Sequence, residues 1–181
     1  MRVWVLLLAT LAPVAGRAQG VMTPAKPEAP LDSTAAYYRT MLLGLRDALN
    51  DVSTSANELR RDLQTAGDVT VLAKADRLSR ACASARAPLH AAIPAVARAQ
   101  RNGRLVPASD SFTVVIRALD AGLEQQCVRG LGPTGSGARA DTLRAWGRYR
   151  TAEMAHLIAV YHSSAAHFAA VMGFKLPAPT S

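Results

Sequence analysis

Residues 38–63 read YRTMLLGLRDALNDVSTSANELRRDL. The apolar positions in this stretch, Tyr38, Leu42, Leu45, Leu49, Val52, Ala56, Leu59 and Leu63, advance by alternating steps of four and three. Such steps keep side chains on one face of an α-helix, and a seven-residue repeat holds that face against a partner helix. The spacing predicts a helix over 34–66, capped by Ser33 or Thr34 and ended by Gly67. The next segment repeats the pattern. Val71, Ala75, Leu78, Cys82, Ala85, Leu89, Ala92 and Val96 form a second seam with the same steps, in a helix capped by Asp68 and reaching about residue 102. Pro88 and Pro94 lie inside it. An interior proline removes a backbone donor and costs about 3 kcal/mol, so this helix is expected to bend near 84–90 or to divide into two in line.

Two further helices complete the set. Ser109 or Asp110 caps a third, to about 130, with Phe112, Val115, Ile116, Leu119, Leu123 and Cys127 inward. A glycine-rich loop with Pro133 follows. The fourth runs from about 138 to 172, with Leu143, Trp146, Met154, Leu157, Tyr161, Phe168 and Val171 read as its inner side. No segment shows the two-residue alternation of a strand. The expected fold is therefore all-α: an antiparallel up-down-up-down four-helix bundle over 33–174 with a kinked second helix. Residues 175–181, with Pro177 and Pro179, are expected to form a disordered tail.

The N-terminus reads as an export signal. Arg2 precedes a nearly continuous apolar run, Val3 to Leu11, then Pro13 and small residues to Ala18. This is the three-part pattern of a secretory signal peptide, with cleavage expected after Ala18 and Gly16 or Gly20 as alternatives. The run is shorter than the roughly 20 residues a membrane span requires, and no later run is longer. Residues 19–32 hold Pro24, Pro27 and Pro30 and read as a flexible leader. The expected location is periplasmic or secreted.

That compartment bears on the two cysteines, Cys82 and Cys127. Oxidising surroundings favour pairing. Their midpoint falls inside the loop 101–110 that joins the second and third helices, so an antiparallel hairpin brings them to one level. A Cys82–Cys127 disulfide is predicted. The absence of Cys-x-x-Cys spacing argues for a structural bridge.

Net charge is +8, falling to +6 when Arg2 and Arg17 leave with the signal. Basic and acidic residues alternate along the helices, as in Arg60, Arg61 and Asp62. This is a solvated surface, capable of weak attraction to an anionic envelope, and lacks the dense one-sided patch of a nucleic-acid binder. No nucleophile elbow, phosphate loop or paired His cluster is present, and Glu153-x-x-His156 is a single copy where a di-iron bundle needs two. No catalytic residue and no metal site are assigned. The chain reads as a non-enzymatic protein that binds a partner or ligand, or is structural.

Two constellations remain. Arg150 and Glu153, placed with Trp146 and Tyr161 on the inner stripe of the fourth helix, are a candidate ligand pocket or a polar layer fixing helix register. Met41 early in the first helix, with His162 and His167 late in the fourth, resembles the axial ligand placement of small b-type cytochrome bundles. That resemblance implies a haem b carrier as the alternative function. At about 100° per residue, His167 lies about 80° and His162 about 140° from Leu157.

Overall fold

The computed structural model describes residues 32–131 and 138–178. Four α-helices stand among them: α1 (Ser33–Asp62), α2 (Asp68–Ala97), α3 (Ala108–Gly122) and α4 (Ala138–Met172). A π-helical segment, Leu123–Arg129, continues α3. Each helix packs on its neighbours in the chain, and α4 closes the ring on α1. This is the expected all-α four-helix bundle. The signal peptide, residues 19–31 of the leader, the loop 132–137 and residues 179–181 lie outside the described residues.

Both heptad seams are buried along their whole length. The eight predicted positions of the first helix, Tyr38 to Leu63, are each at most 7% exposed. The eight of the second, Val71 to Val96, are each at most 1% exposed. Alternating steps of three and four produce this outcome because they hold one face of each helix on the bundle axis. Helix α2 continues unbroken through Pro88 and Pro94 and does not divide. The carbonyls that the prolines leave without a donor belong to Ser84 and His90, both exposed, where water can satisfy them.

The helix ends differ from the expectations. Asp32, not Ser33 or Thr34, caps α1: its carboxylate accepts from the Ala35 N–H at 2.7 Å. Gly67 has φ −66° and precedes α2 as its cap, so Asp68 stands in the first turn. There its charge favours the positive helix end, and it pairs with Arg144 of α4. Arg144 also donates to the Leu63 and Ala66 carbonyls, at 2.7 and 3.1 Å, which closes off the end of α1. Neither Ser109 nor Asp110 caps α3; the turn begins at Pro107, and Ser109 donates to the Val106 carbonyl instead.

Between α2 and α3 the chain forms a two-stranded hairpin, β1 (Gln100–Arg101) and β2 (Arg104–Leu105), contrary to the expected loop. Asn102 and Gly103 adopt φ of 53° and 72°. These are the left-handed conformations of a two-residue hairpin turn, for which Asn-Gly is the favoured pair.

The π segment explains the third helix. Its buried line runs Phe112, Ile116, Leu119, Leu123, Cys127 and Leu131, so the last steps are all four residues. A regular α-helix would rotate such a line off the core; a wider i→i+5 turn retains it. Cys127 sits in this segment and bonds to Cys82 with Cα atoms 6.2 Å apart. The predicted bridge is present, and it ties the π segment to the seam of α2.

The inner side of α4 requires correction. Its buried line is Ala140, Leu143, Gly147, Thr151, Met154, Ile158, Tyr161, Ala165, Phe168 and Met172. Trp146 is 59% exposed, and Leu157 and Val171 are only partly covered. Leu143, Met154, Tyr161 and Phe168 of the expected side are buried as read, but the centre of the buried line lies about 55° from that of the expected side, at about 100° per residue. Small side chains permit this. A Cβ on Gly147 would meet Leu63 Cδ1 at 2.9 Å, so α4 approaches the end of α1 over a residue that propensity reads as non-core. Beyond α4, Phe174 is buried and Leu176 packs on the core, so the expected tail does not leave the bundle at 175.

Candidate functional site

Two places in the bundle gather polar groups. The first lies between α2 and α3. Arg86 of α2 bonds Asp120 at 2.8 Å and also pairs with Glu124; His90 Nε2 lies 2.8 Å from Asp120, and Arg129 bonds Glu124 at 2.7 Å. Burial pushes the Asp120 carboxyl up, but the hydrogen bonds from Arg86 and His90 outweigh it and hold the group below the usual carboxylate range. The Arg129 hydrogen bond likewise lowers Glu124. Each carboxylate of this network is held by arginine, and Asp120 by His90 as well. The chemistry is that of an ion-pair clamp joining α2 to the start of the π segment.

The second lies along the seam of α1 and α4. The α1 flank carries Arg46, Asn50, Ser53, Thr54, Asn57 and Arg60; the α4 flank carries Thr151, Ala155, Ala159, His162 and Ala166. Asn50, Ser53, Thr54 and Asn57 on α1 and Ala155 and Ala159 on α4 are short, so the helices meet at their buried lines and leave a groove of about 360 Å³ above them. Ala56, Met154 and Ile158 form its floor. Thr151 spends its hydroxyl on its own helix, donating to the Gly147 carbonyl at 2.9 Å, and so offers the groove a methyl group. The polar wall belongs to α1, where Arg60 donates to the Asn57 side chain at 3.0 Å.

His162 closes one end of this groove and also lines a second cavity of about 100 Å³ beyond it, formed with Leu42, Arg46, Tyr161, Ala165 and Leu176. Burial, and then the charge of Arg46, lowers the His162 pKa, so its ring is neutral at pH 7. The Tyr161 hydroxyl is buried and has no hydrogen-bond partner among the described residues. Burial raises its pKa, so it stays protonated and can donate.

The structure does not bring the expected pocket residues together. Arg150 and Glu153 are half-buried and form no ion pair with each other. The Arg150 guanidinium lies against Gly130 at the end of the π segment. Trp146 faces outward, and about 22 Å of helix separates it from Tyr161. Neither a polar layer nor a shared pocket results. Of that set Tyr161 lines the small cavity beside His162.

The haem arrangement does not fit either. Met41 is half-buried, His167 is exposed, and His162 lies on the α1–α4 groove. The interior at that level is filled by rings: Tyr38 on Phe168 at 5.5 Å, Phe168 on Phe112 at 5.2 Å and Phe112 on Tyr161 at 5.7 Å. A porphyrin between the helices would have to displace this aromatic cluster. Among the described residues no group of three or more His, Cys, Asp or Glu side chains converges as metal ligands would, and no helix is long and apolar enough to cross a membrane.

The groove escaped the sequence reading because Asn50, Ser53, Thr54 and Asn57 look like a solvated helix face, and because the true rotation of α4 is set by Gly, Thr and Ala. The run of four small polar residues where Arg and Glu populate the other turns of α1 was the available signal. Comparison of the chain with protein-family models, with curated proteins and with solved structures gives no match.

Proposed function

We propose that this chain is an exported, non-enzymatic carrier or sensor that holds a small amphipathic molecule in the α1–α4 groove. The observation that carries this reading is the groove itself: about 360 Å³, with an apolar floor, one polar wall and no acidic lining residue. That volume and that mixture of an apolar surface with a few fixed polar groups are typical of small-molecule sites. Export rests on the N-terminal signal pattern together with the Cys82–Cys127 bond, which an oxidising compartment would maintain. A mature chain beginning at Gln19 in the periplasmic or extracellular fraction, read by mass spectrometry, supports export; an intact Met1 there opposes it.

Ligand binding is tested with Nile red, a neutral apolar dye whose emission shifts when it leaves water. Full-length disulfide-bonded protein should bind it saturably, and Ala155→Trp, which fills the groove from α4, should abolish binding while leaving the helical circular dichroism unchanged. Absence of a saturable site, or undiminished binding by Ala155→Trp, would overturn the reading.

A further inference from the structure

The two ends of the bundle carry their charges differently. At the end where α1 meets α2, cations are matched to carboxylates: Lys74 to Asp62, Arg139 to Asp76 and Arg144 to Asp68. At the hairpin end Arg98, Arg101, Arg104 and Lys175 are all exposed, and none of them forms an ion pair among the described residues. The carboxylates nearest in the chain, Asp32 and Asp110, stand at the starts of α1 and α3, where the positive helix ends offset their charge. Arg98 spends only its Nε, on the Pro94 carbonyl at 3.1 Å, and Arg101 one amino group, on the Val171 carbonyl; a guanidinium has five N–H donors, so both keep donors for a second partner. Apolar side chains share this end: Leu105 is 65% exposed and Tyr37 56%. The hairpin that presents Leu105 is closed at its base, where the Val106 N–H donates to the Ala99 carbonyl at 3.0 Å. It lies across two helix ends, forming a small cleft with Asp32 and Thr34 at the start of α1 and reaching the end of α4 through Arg101.

From this juxtaposition we infer that the hairpin end is a docking face for an anionic phospholipid surface. Arg98, Arg101, Arg104 and Lys175 meet the phosphates, while Leu105 and Tyr37 enter the interface. Charge complementarity sets the sign of the occupant: unpaired cations with spare donors fit phosphate oxygens, and each cation brought near such a surface strengthens adsorption about fivefold. The apolar residues set its kind. A leucine held out at the edge of a hairpin gains nothing from a soluble polyanion, whereas at a bilayer it buries itself at the acyl boundary and a tyrosine settles at head-group level. The contact is adsorption from one side, since among the described residues no helix is long and apolar enough to cross a membrane. The α1–α4 groove runs along the side of the bundle, so this inference stands apart from the ligand-binding reading.

The test is flotation of the full disulfide-bonded protein with vesicles of phosphatidylcholine, alone or mixed with phosphatidylglycerol. Binding should require phosphatidylglycerol and weaken as salt rises. Arg104→Gln/Lys175→Gln should lower the partition coefficient about 30-fold, the product of two cations. Neither side chain makes a hydrogen bond or ion pair within the described residues, so the melting temperature should stay at the wild-type value. Arg61→Gln/Arg148→Gln removes the same charge from exposed positions near the opposite end and should lose less than about threefold. Leu105→Ser should lose about fivefold, as expected for partial burial of one leucine. Equal losses in the two double variants would reduce the effect to net charge and overturn the docking face. So would binding that ignores phosphatidylglycerol. If Leu105→Ser binds as well as the wild type and soluble polyphosphate displaces the protein, the face takes a soluble polyanion and the membrane assignment falls.

Discussion

Cleaving the Cys82–Cys127 bond is the perturbation whose size follows most directly from the chain. The cysteines are 45 residues apart and both fully buried. Closing a loop of that length removes conformational freedom from the unfolded chain worth about 4 kcal/mol. For a domain of this size each kcal/mol moves the melting temperature by about 4 °C, so the expected fall is about 15 °C. Two samples separate the covalent link from the volume of the sulfurs. The reduced wild type keeps both sulfurs in the core, next to Met154, whose sulfur is 3.9 Å from that of Cys82. The Cys82→Ala/Cys127→Ala double variant removes them and should lose somewhat more, since it leaves small cavities. Alanine is preferred to serine because it buries no new hydroxyl. Thermal unfolding followed by circular dichroism at 222 nm reads both. A fall of less than about 3 °C in the reduced protein would refute the loop-entropy account. Two thiols titrating in freshly isolated, unfolded protein would refute the bond itself.

Three other outcomes follow. Because the folded Asp120 carboxyl titrates below its ordinary value, it contributes stability that is full above the unfolded pKa, about 4, and is lost as pH falls through the lower folded value. Asp120→Asn should therefore destabilise the protein by about 1–3 kcal/mol at pH 7 and flatten the acid limb of denaturant-measured stability below about pH 4; a variant with the wild-type acid limb would remove Asp120 from the account. Trp146→Ala should change stability by less than about 0.5 kcal/mol, whereas Ile158→Ala, buried but outside the expected stripe, should cost about 2–5 kcal/mol. Urea unfolding that ranks the two the other way would show that α4 is rotated as its sequence first suggests.

That last contrast marks where the sequence was legible and where it was not. Helices α1 and α2 announce their buried lines because Leu, Val, Ala and Cys occupy nearly every inward position, and the periodicity leaves one choice of face. Helix α4 has Gly147, Thr151 and Ala165 at inward positions and Trp146 at an outward one, so hydrophobicity finds Leu143, Met154, Tyr161 and Phe168 but centres the stripe about 55° from the true one. Helix–helix approach decides the rotation, through contacts such as Leu63 on Gly147, and no single-helix pattern contains that information. The disulfide was legible because it needed only hairpin symmetry and a compartment. The π segment was not: its three four-residue steps, Leu119 to Leu131, lie in the sequence but also fit an ordinary amphipathic helix. Extending the second helix to about residue 102 runs it into Asn102-Gly103, which is the strongest hairpin signal. At the start of α1, Asp32, Ser33 and Thr34 are all capping residues, and only the observed carboxylate bond to Ala35 N–H picks Asp32. For the site, Tyr161 was singled out correctly as an inward residue, but its neighbours were sought along the wrong flank, toward Arg150 and Glu153 instead of Arg46 and the following residue, His162.

The central claim is that the working surface of this bundle is the α1–α4 groove. Two-dimensional NMR of the labelled, disulfide-bonded protein, titrated with decanol as a neutral amphipathic probe, tests it most directly. Saturable shifts should concentrate at Ser53, Ala56, Ala155, Ala159 and His162. Shifts clustered instead at Trp146, Tyr149, Arg150 and Glu153, or none that saturate, would contradict it.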